Sequence, residues 1–187
     1  WPVGTVVELM PVSTGIGEFR LLMPILARLT RTERHIALIR TPYVPFAPAL
    51  IQHGVQLDRL LIINASNEED TLWAFEQTLR CRSFGAVVAW PSVVKDREVR
   101  RLQLAAEAGR SIGFLYRPAS GALESSPAAV RLKLQASSTS LQVDILKCRG
   151  ARGGVSVVVE EAPCLSFRVG TEDGRIPHSD YPLSAIR

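Results

Sequence analysis

Three consecutive stretches decide the fold class: Val6-Val7-Glu8-Leu9-Met10, then Pro11-Val12-Ser13-Thr14-Gly15-Ile16-Gly17, then Glu18-Phe19-Arg20-Leu21-Leu22. The first is dominated by apolar residues and reads as a buried strand. The second carries two glycines and reads as a turn. Beyond it Phe19, Leu22, Met23, Leu26 and Leu29 recur at helical spacing, which predicts a helix from about Glu18 to Thr30. Glu18 falls in its first turn, where a negative charge suits the helix dipole.

Working outward, the same alternation continues. Strands are predicted at His35 to Ile39, Leu60 to Ile63, Ala86 to Trp90 and Ser111 to Tyr116. Helices are predicted at Ala47 to His53, Glu68 to Cys81 and Lys95 to Gly109, the last stopped by Gly109. The three prolines between Thr41 and Pro48 make the start of that segment a loop. Strands alternating with helices imply right-handed βαβ units and a parallel sheet. After the small, polar stretch Ala119 to Ala129, which reads as a loop, come three strands with no helix between them: Val130 to Leu134, Leu141 to Ile145 and Val155 to Val159. Their linkers are of hairpin length and composition. The expected class is therefore α/β, a mainly parallel sheet flanked by helices that ends in an antiparallel meander. Residues 161–187 are polar apart from an apolar island at Leu165 to Val169 and are expected to be a tail, partly disordered or docked on a partner.

Length and composition bound the function. With 187 residues, 47% of them hydrophobic, the chain suffices for one domain and its core. Three cysteines, Cys81, Cys148 and Cys164, with no close pair exclude a disulfide scaffold and point to a reducing cytoplasm. No apolar run approaches the roughly 18 residues of a membrane span, and without a basic-then-apolar pattern at the start no signal peptide is expected. A start at Trp1 instead of Met predicts that residues precede it. The net charge is +4, from 22 Lys and Arg against 18 Asp and Glu, yet only Lys95, Lys133 and Lys147 are lysines.

That split bears on the turn. A strand, a glycine-containing turn and a helix is where mononucleotide-binding folds cradle phosphates, with backbone N–H groups and the helix start as the anion site. The working pattern is G-x-x-x-x-G-K-[ST]. Here Gly17 is followed by Glu18 where the Lys is needed and Phe19 where the metal-binding hydroxyl is needed, and no lysine precedes Lys95. A carboxylate within about 4 Å of a triphosphate is repelled by at least about 1 kcal/mol even in water. The Asp that ends a buried strand and holds the metal in such ATPases is replaced by Ala89-Trp90, and the water-polarising carboxylate by Arg40-Thr41-Pro42. The expected site is a degenerate nucleotide site of Gly15, Gly17, Glu18, Phe19 and Trp90. Trp90 is expected to fill space that nucleotide and metal would otherwise take. No catalytic residue, metal site or cofactor is expected; His35, His53 and His178 lack ligand spacing.

Gly4 to Leu22, Val44 to Leu61 and Ala86 to Trp90 resemble, in order and spacing, the core of the RecA recombinase. Gly15 to Leu22, Thr41 to Leu50 and the run Arg100-Arg101-Leu102-Gln103-Leu104-Ala105-Ala106-Glu107-Ala108-Gly109 are similar to the ImuA family, RecA-like accessory proteins of bacterial translesion synthesis. This resemblance covers roughly residues 1–160. It implies a RecA-like domain without ATPase activity that serves SOS-induced, error-prone translesion synthesis through protein contacts. The partners it implies are an ImuB-like inactive Y-family polymerase, RecA and, indirectly, an error-prone C-family polymerase. The related SulA family offers the alternative, a division inhibitor that binds the tubulin-like protein FtsZ and is expected to be shorter, without the meander. A regulator with residual nucleotide binding is the third reading.

DNA contact is expected to be weak or indirect. Basic residues cluster at Arg97, Arg100 and Arg101, at Arg28, Arg31 and Arg34, and at Lys147, Arg149 and Arg152; Arg117 stands alone in the short stretch before Ala129. Such clusters contact phosphates in a salt-dependent way, but no aromatic is interleaved with them, as single-strand binding favours. Solvated helix faces and favourable C-terminal charges are the preferred account of each cluster, with Arg149 and Arg152 the best candidates if DNA is touched.

Overall fold

The structure is a computed structural model that describes residues 1–137, 140–150 and 153–160. The tail at 161–187 lies outside the described residues. The strands are β1 (Thr5–Pro11), β2 (His35–Ile39), β3 (Leu60–Ile63), β4 (Phe84–Ala89), β5 (Ile112–Tyr116), β6 (Val130–Ala136), β7 (Ser140–Cys148) and β8 (Val155–Glu160). The helices are α1 (Met23–Arg31), α2 (Ala47–Gln52), α3 (Glu68–Arg80) and α4 (Asp96–Gly109). All eight strands form one sheet in the order β3-β2-β4-β5-β1-β6-β7-β8. β1 to β6 run parallel; β7 is antiparallel to β6, and β8 to β7. The α/β sheet with helices and a terminal meander is thus as the sequence predicts. Among the described residues no helix is long and apolar enough to cross a membrane.

Period-2 alternation assigns the strand residues to two faces. Val7, Leu9, Ile36, Leu38, Phe114 and Leu132 pack with Leu22, Leu26 and Leu50 of the α1–α2 side. Val6, Ala37, Ile39, Val87 and Leu115 pack with Phe75, Leu79, Val99 and Leu102 of α3 and α4. The central strands are buried on both faces, as a parallel sheet covered by helices requires. β3 is an edge, and its Leu61 and Ile62 are exposed. α3 starts on Asn67, whose side chain accepts from the Asp70 N–H at 2.8 Å, with Glu68, Glu69 and Asp70 on the positive end of the dipole.

Three sequence expectations are corrected. The helix predicted from Glu18 is a 3-10 turn, Glu18–Leu22, followed by α1. The cause is Pro24, which has no N–H to donate to Arg20 and so belongs in the first turn of an α-helix, where that donor is not needed. Gly109 does not stop α4; it is the last helical residue, and Arg110 takes the left-handed conformation at φ 52°. The stretch after β5 is not wholly loop, since Ala119–Leu123 form a 3-10 turn.

Candidate functional site

The loops that leave the carboxyl ends of β1, β2, β4 and β5 converge on a cavity of about 550 Å³. In open α/β sheets ligands bind in the crevice outside the carboxyl ends of the strands. Four of the five residues expected at a degenerate nucleotide site line it, namely Gly15, Glu18, Phe19 and Trp90, and Gly17 lies in the same turn. Gly15 and Gly17 have φ 80° and 84°, left-handed values that favour glycine. The Gly15 N–H donates to the Glu18 carboxylate at 3.3 Å. The loop therefore satisfies one of its own donors with its own anion.

Behind the loop stands an aromatic row. Trp90 stacks on Tyr116 with ring centres 4.8 Å apart and planes 5° off parallel, and Phe19 tilts against Trp90 at 5.9 Å. The Tyr116 hydroxyl donates to the Glu18 carbonyl at 3.2 Å. Burial, and secondarily the Glu18 charge, push the Tyr116 phenol far above its ordinary pKa, so it remains a donor. Trp90→Ala removes the middle of this row. We expect a loss of about 2 kcal/mol, less than for a fully buried Trp, measured as a shift of the urea midpoint.

The β2–α2 loop borders the cavity and is largely apolar. Tyr43, Val44 and Phe46 are 71%, 92% and 71% exposed, and Val12 across the cavity is 52% exposed. Contiguous exposed apolar residues on a rigid rim mark an interaction surface. The loop springs from Arg40, held left-handed at φ 54° and ion-paired to Glu68. Glu68 also accepts the Ser92 N–H at 3.0 Å. Desolvation alone would raise the Glu68 pKa; the hydrogen bonds from Arg40 and Ser92 outweigh it and hold the carboxyl below its usual value. This clamp joins the loop to α3 and to the start of the β4–α4 connection.

The residues expected to touch DNA do not come together. Arg97 and Arg100 are exposed on the first turns of α4, and neighbouring Arg101 is ion-paired to Glu76. Arg149 is exposed after β7, at the amino edge of the parallel strands, and Arg152 lies outside the described residues. Arg117 is corrected outright: its guanidinium turns inward to Glu8 at 3.0 Å and to Glu124 at 2.9 Å.

Glu8 is what the sequence reading missed. It is fully buried in β1, and the side chains of Arg131 and Arg117 beside it are 7% and 9% exposed. Its carboxylate accepts from Arg131 Nε at 2.7 Å, Arg117 Nη1 at 3.0 Å and Ser126 Oγ at 2.7 Å. Arg131 also donates to the carbonyls of Gly121 and Glu124, both at 2.6 Å. The cluster pins the segment between β5 and β6 beneath the sheet edge. The available signal was a lone Glu in an apolar run and a lone Arg in an apolar strand.

Residues 6–113 match the family model described as Cell division inhibitor SulA. SulA of Photorhabdus laumondii is 30% identical over 116 residues, 62% of this chain and 65% of that protein. SulA of Edwardsiella piscicida is 32% identical over 103 residues, 55% of this chain and 61% of that protein. The chain thus spans just under two thirds of these relatives. The crystal structure of SulA from Pseudomonas aeruginosa shares the fold, with a TM-score of 0.50 and 24% identity over 60% of this chain and 97% of that one. These matches overturn the translesion-synthesis reading, and with it the ImuB-like polymerase, RecA and C-family polymerase as partners. The β1-turn-helix and the proline-rich loop that carried that resemblance lie inside the SulA match, so they do not separate the two families. The match covers more than half of the chain and ends at Gly113, so the meander is outside it. The chain belongs to the SulA family.

Proposed function

We propose that this chain is a cell-division inhibitor of the SOS response that works by binding, without catalysis, and that its partner is the division protein FtsZ. The observation that carries the reading is the apolar loop Tyr43, Val44 and Phe46, presented beside the carboxyl-edge cavity on a clamped frame. Large aromatic and aliphatic side chains held in place form the anchors of protein interfaces. Family membership supports the activity, because the relatives bear the name of cell division inhibitors.

The finer reading is that the fold is RecA-like and that its phosphate loop holds no nucleotide. What supports it is the Glu18 carboxylate on the Gly15 N–H, a donor that a phosphate would otherwise take, and the aromatic row of Phe19, Trp90 and Tyr116 behind it. Inhibition then needs no ATP.

Titrating purified FtsZ with this chain tests the proposal. Saturable binding is expected. Val44→Asp and Phe46→Asp, both at exposed positions that leave the core intact, are expected to weaken it about 30-fold each, the effect of losing a hot spot of about 2 kcal/mol. Absence of binding, or variants that bind like the unaltered chain, overturns it.

A further inference from the structure

The carboxyl-edge cavity is open, apolar and lined by Phe19, Tyr43, Trp90 and Tyr116. The polypeptide leaves the described fold at the same edge. Pro11 stands opposite Leu134 on β6, Leu134 opposite Val143 on β7, and Val143 opposite Val157 on β8. β8 runs parallel to β1, so Glu160, three residues past Val157, ends level with the loop that follows Pro11. Three strand spacings separate the two, about 14 Å. Pro163 lacks the N–H that a strand paired to β8 would need there.

The next residues are Cys164-Leu165-Ser166-Phe167-Arg168-Val169, the apolar island that nothing in the function absorbs. Seven residues from Glu160 to Phe167 span up to about 24 Å when extended, which passes the end of β1 and equals the five strand spacings, about 24 Å, from β8 to β4 and Trp90. The charges also match. Arg117 on the lining is taken up by Glu8 and Glu124. The Glu18 carboxylate has the Gly15 N–H as its described partner, at 3.3 Å, and Arg168 adjoins Phe167.

We propose that Leu165–Val169 of this chain occupies the carboxyl-edge cavity, with Phe167 against Trp90 and Arg168 at Glu18. The chain then carries an internal occupant for the edge it offers to a partner, and a partner must displace that segment. The proposal does not depend on which partner docks.

Hydrogen exchange on the full chain alone tests it. Amides of 164–169 and of 12–19 are expected to exchange about tenfold slower than in Phe167→Asp, with both segments released together in that variant. Phe167→Leu is expected to keep the protection. The effect is expected to be independent of protein concentration. Three results overturn the proposal: no protection of 164–169 in the unaltered chain, loss of protection there without change at 12–19, which would seat the segment elsewhere, or protection that grows with concentration, which would make a second copy the occupant. Because no partner is present, failure here leaves the division-inhibitor reading intact, and failure of FtsZ binding leaves this result intact.

Discussion

Glu8→Ala lowers the stability of the fold by about 3–5 kcal/mol. The carboxylate is fully buried between two guanidinium groups with side chains 7% and 9% exposed. Taking charges out of water costs several kcal/mol each, and here the cost is offset by close pairing and by hydrogen bonds on every group. Removing the carboxylate leaves Arg131 with the carbonyls of Gly121 and Glu124, and Arg117 with Glu124, but no counter-charge inside the sheet. The loss is a large part of a total of about 5–15 kcal/mol. It is read as a fall of about 2 M in the urea midpoint. Replacing the pair together, as Glu8→Leu with Arg131→Met, is expected to restore most of the stability, because no unpaired charge then remains at Arg131 and Arg117 keeps Glu124. A Glu8→Ala midpoint within about 0.3 M of the unaltered chain would contradict this account of the cluster.

Gly109→Ala is the second large effect. A Cβ at Gly109 overlaps the Leu79 carbonyl oxygen outright and lies 2.9 Å from both the Leu79 and Arg80 carbonyl carbons. These are backbone atoms at the end of α3 and cannot swing aside. The Leu79 carbonyl is moreover held by the Ser111 hydroxyl at 2.8 Å. The carboxyl ends of α3 and α4 must separate, which loosens the packing of Leu79, Leu102 and Ala106 against the sheet. Helix propensity favours Ala over Gly by about 1 kcal/mol, so the sign of the change separates the two effects. Overpacking against backbone is expected to win, with a net loss of about 3 kcal/mol and a melting temperature lower by about 10 °C. A variant that melts as high as the unaltered chain or higher would mean that the helices can part freely.

The parallel core was legible because apolar alternation and turn glycines are local signals. β3 falls on the predicted residues Leu60–Ile63, and α3 ends one residue short of its predicted end at Cys81. Misreadings arose where a local signal met a distant partner. Gly109 resembles a helix stop in sequence, but α3 is what requires it to be glycine. Arg117 reads as a surface cation until β1 is seen to bring Glu8 beneath it. Pro24 is a local signal that the apolar periodicity around it masks. Within the candidate site, Gly15, Glu18, Phe19 and Trp90 were found from the phosphate-loop pattern, and the structure brings them to one cavity. Tyr43, Val44 and Phe46 were placed in a loop, but their exposure depends on the Arg40–Glu68 clamp, a contact 28 residues apart in sequence. The choice between related families was not legible, because the quoted stretches that carried the resemblance serve both.

The most direct test of the central claim is FtsZ assembly followed by light scattering with GTP present and this chain added in equimolar amount. The account predicts that the unaltered chain suppresses assembly without added ATP, and that Phe46→Asp, folded to the same urea midpoint, needs about 30-fold more chain for the same suppression. Assembly that proceeds unchanged beside the unaltered chain, or suppression that requires ATP, would contradict it.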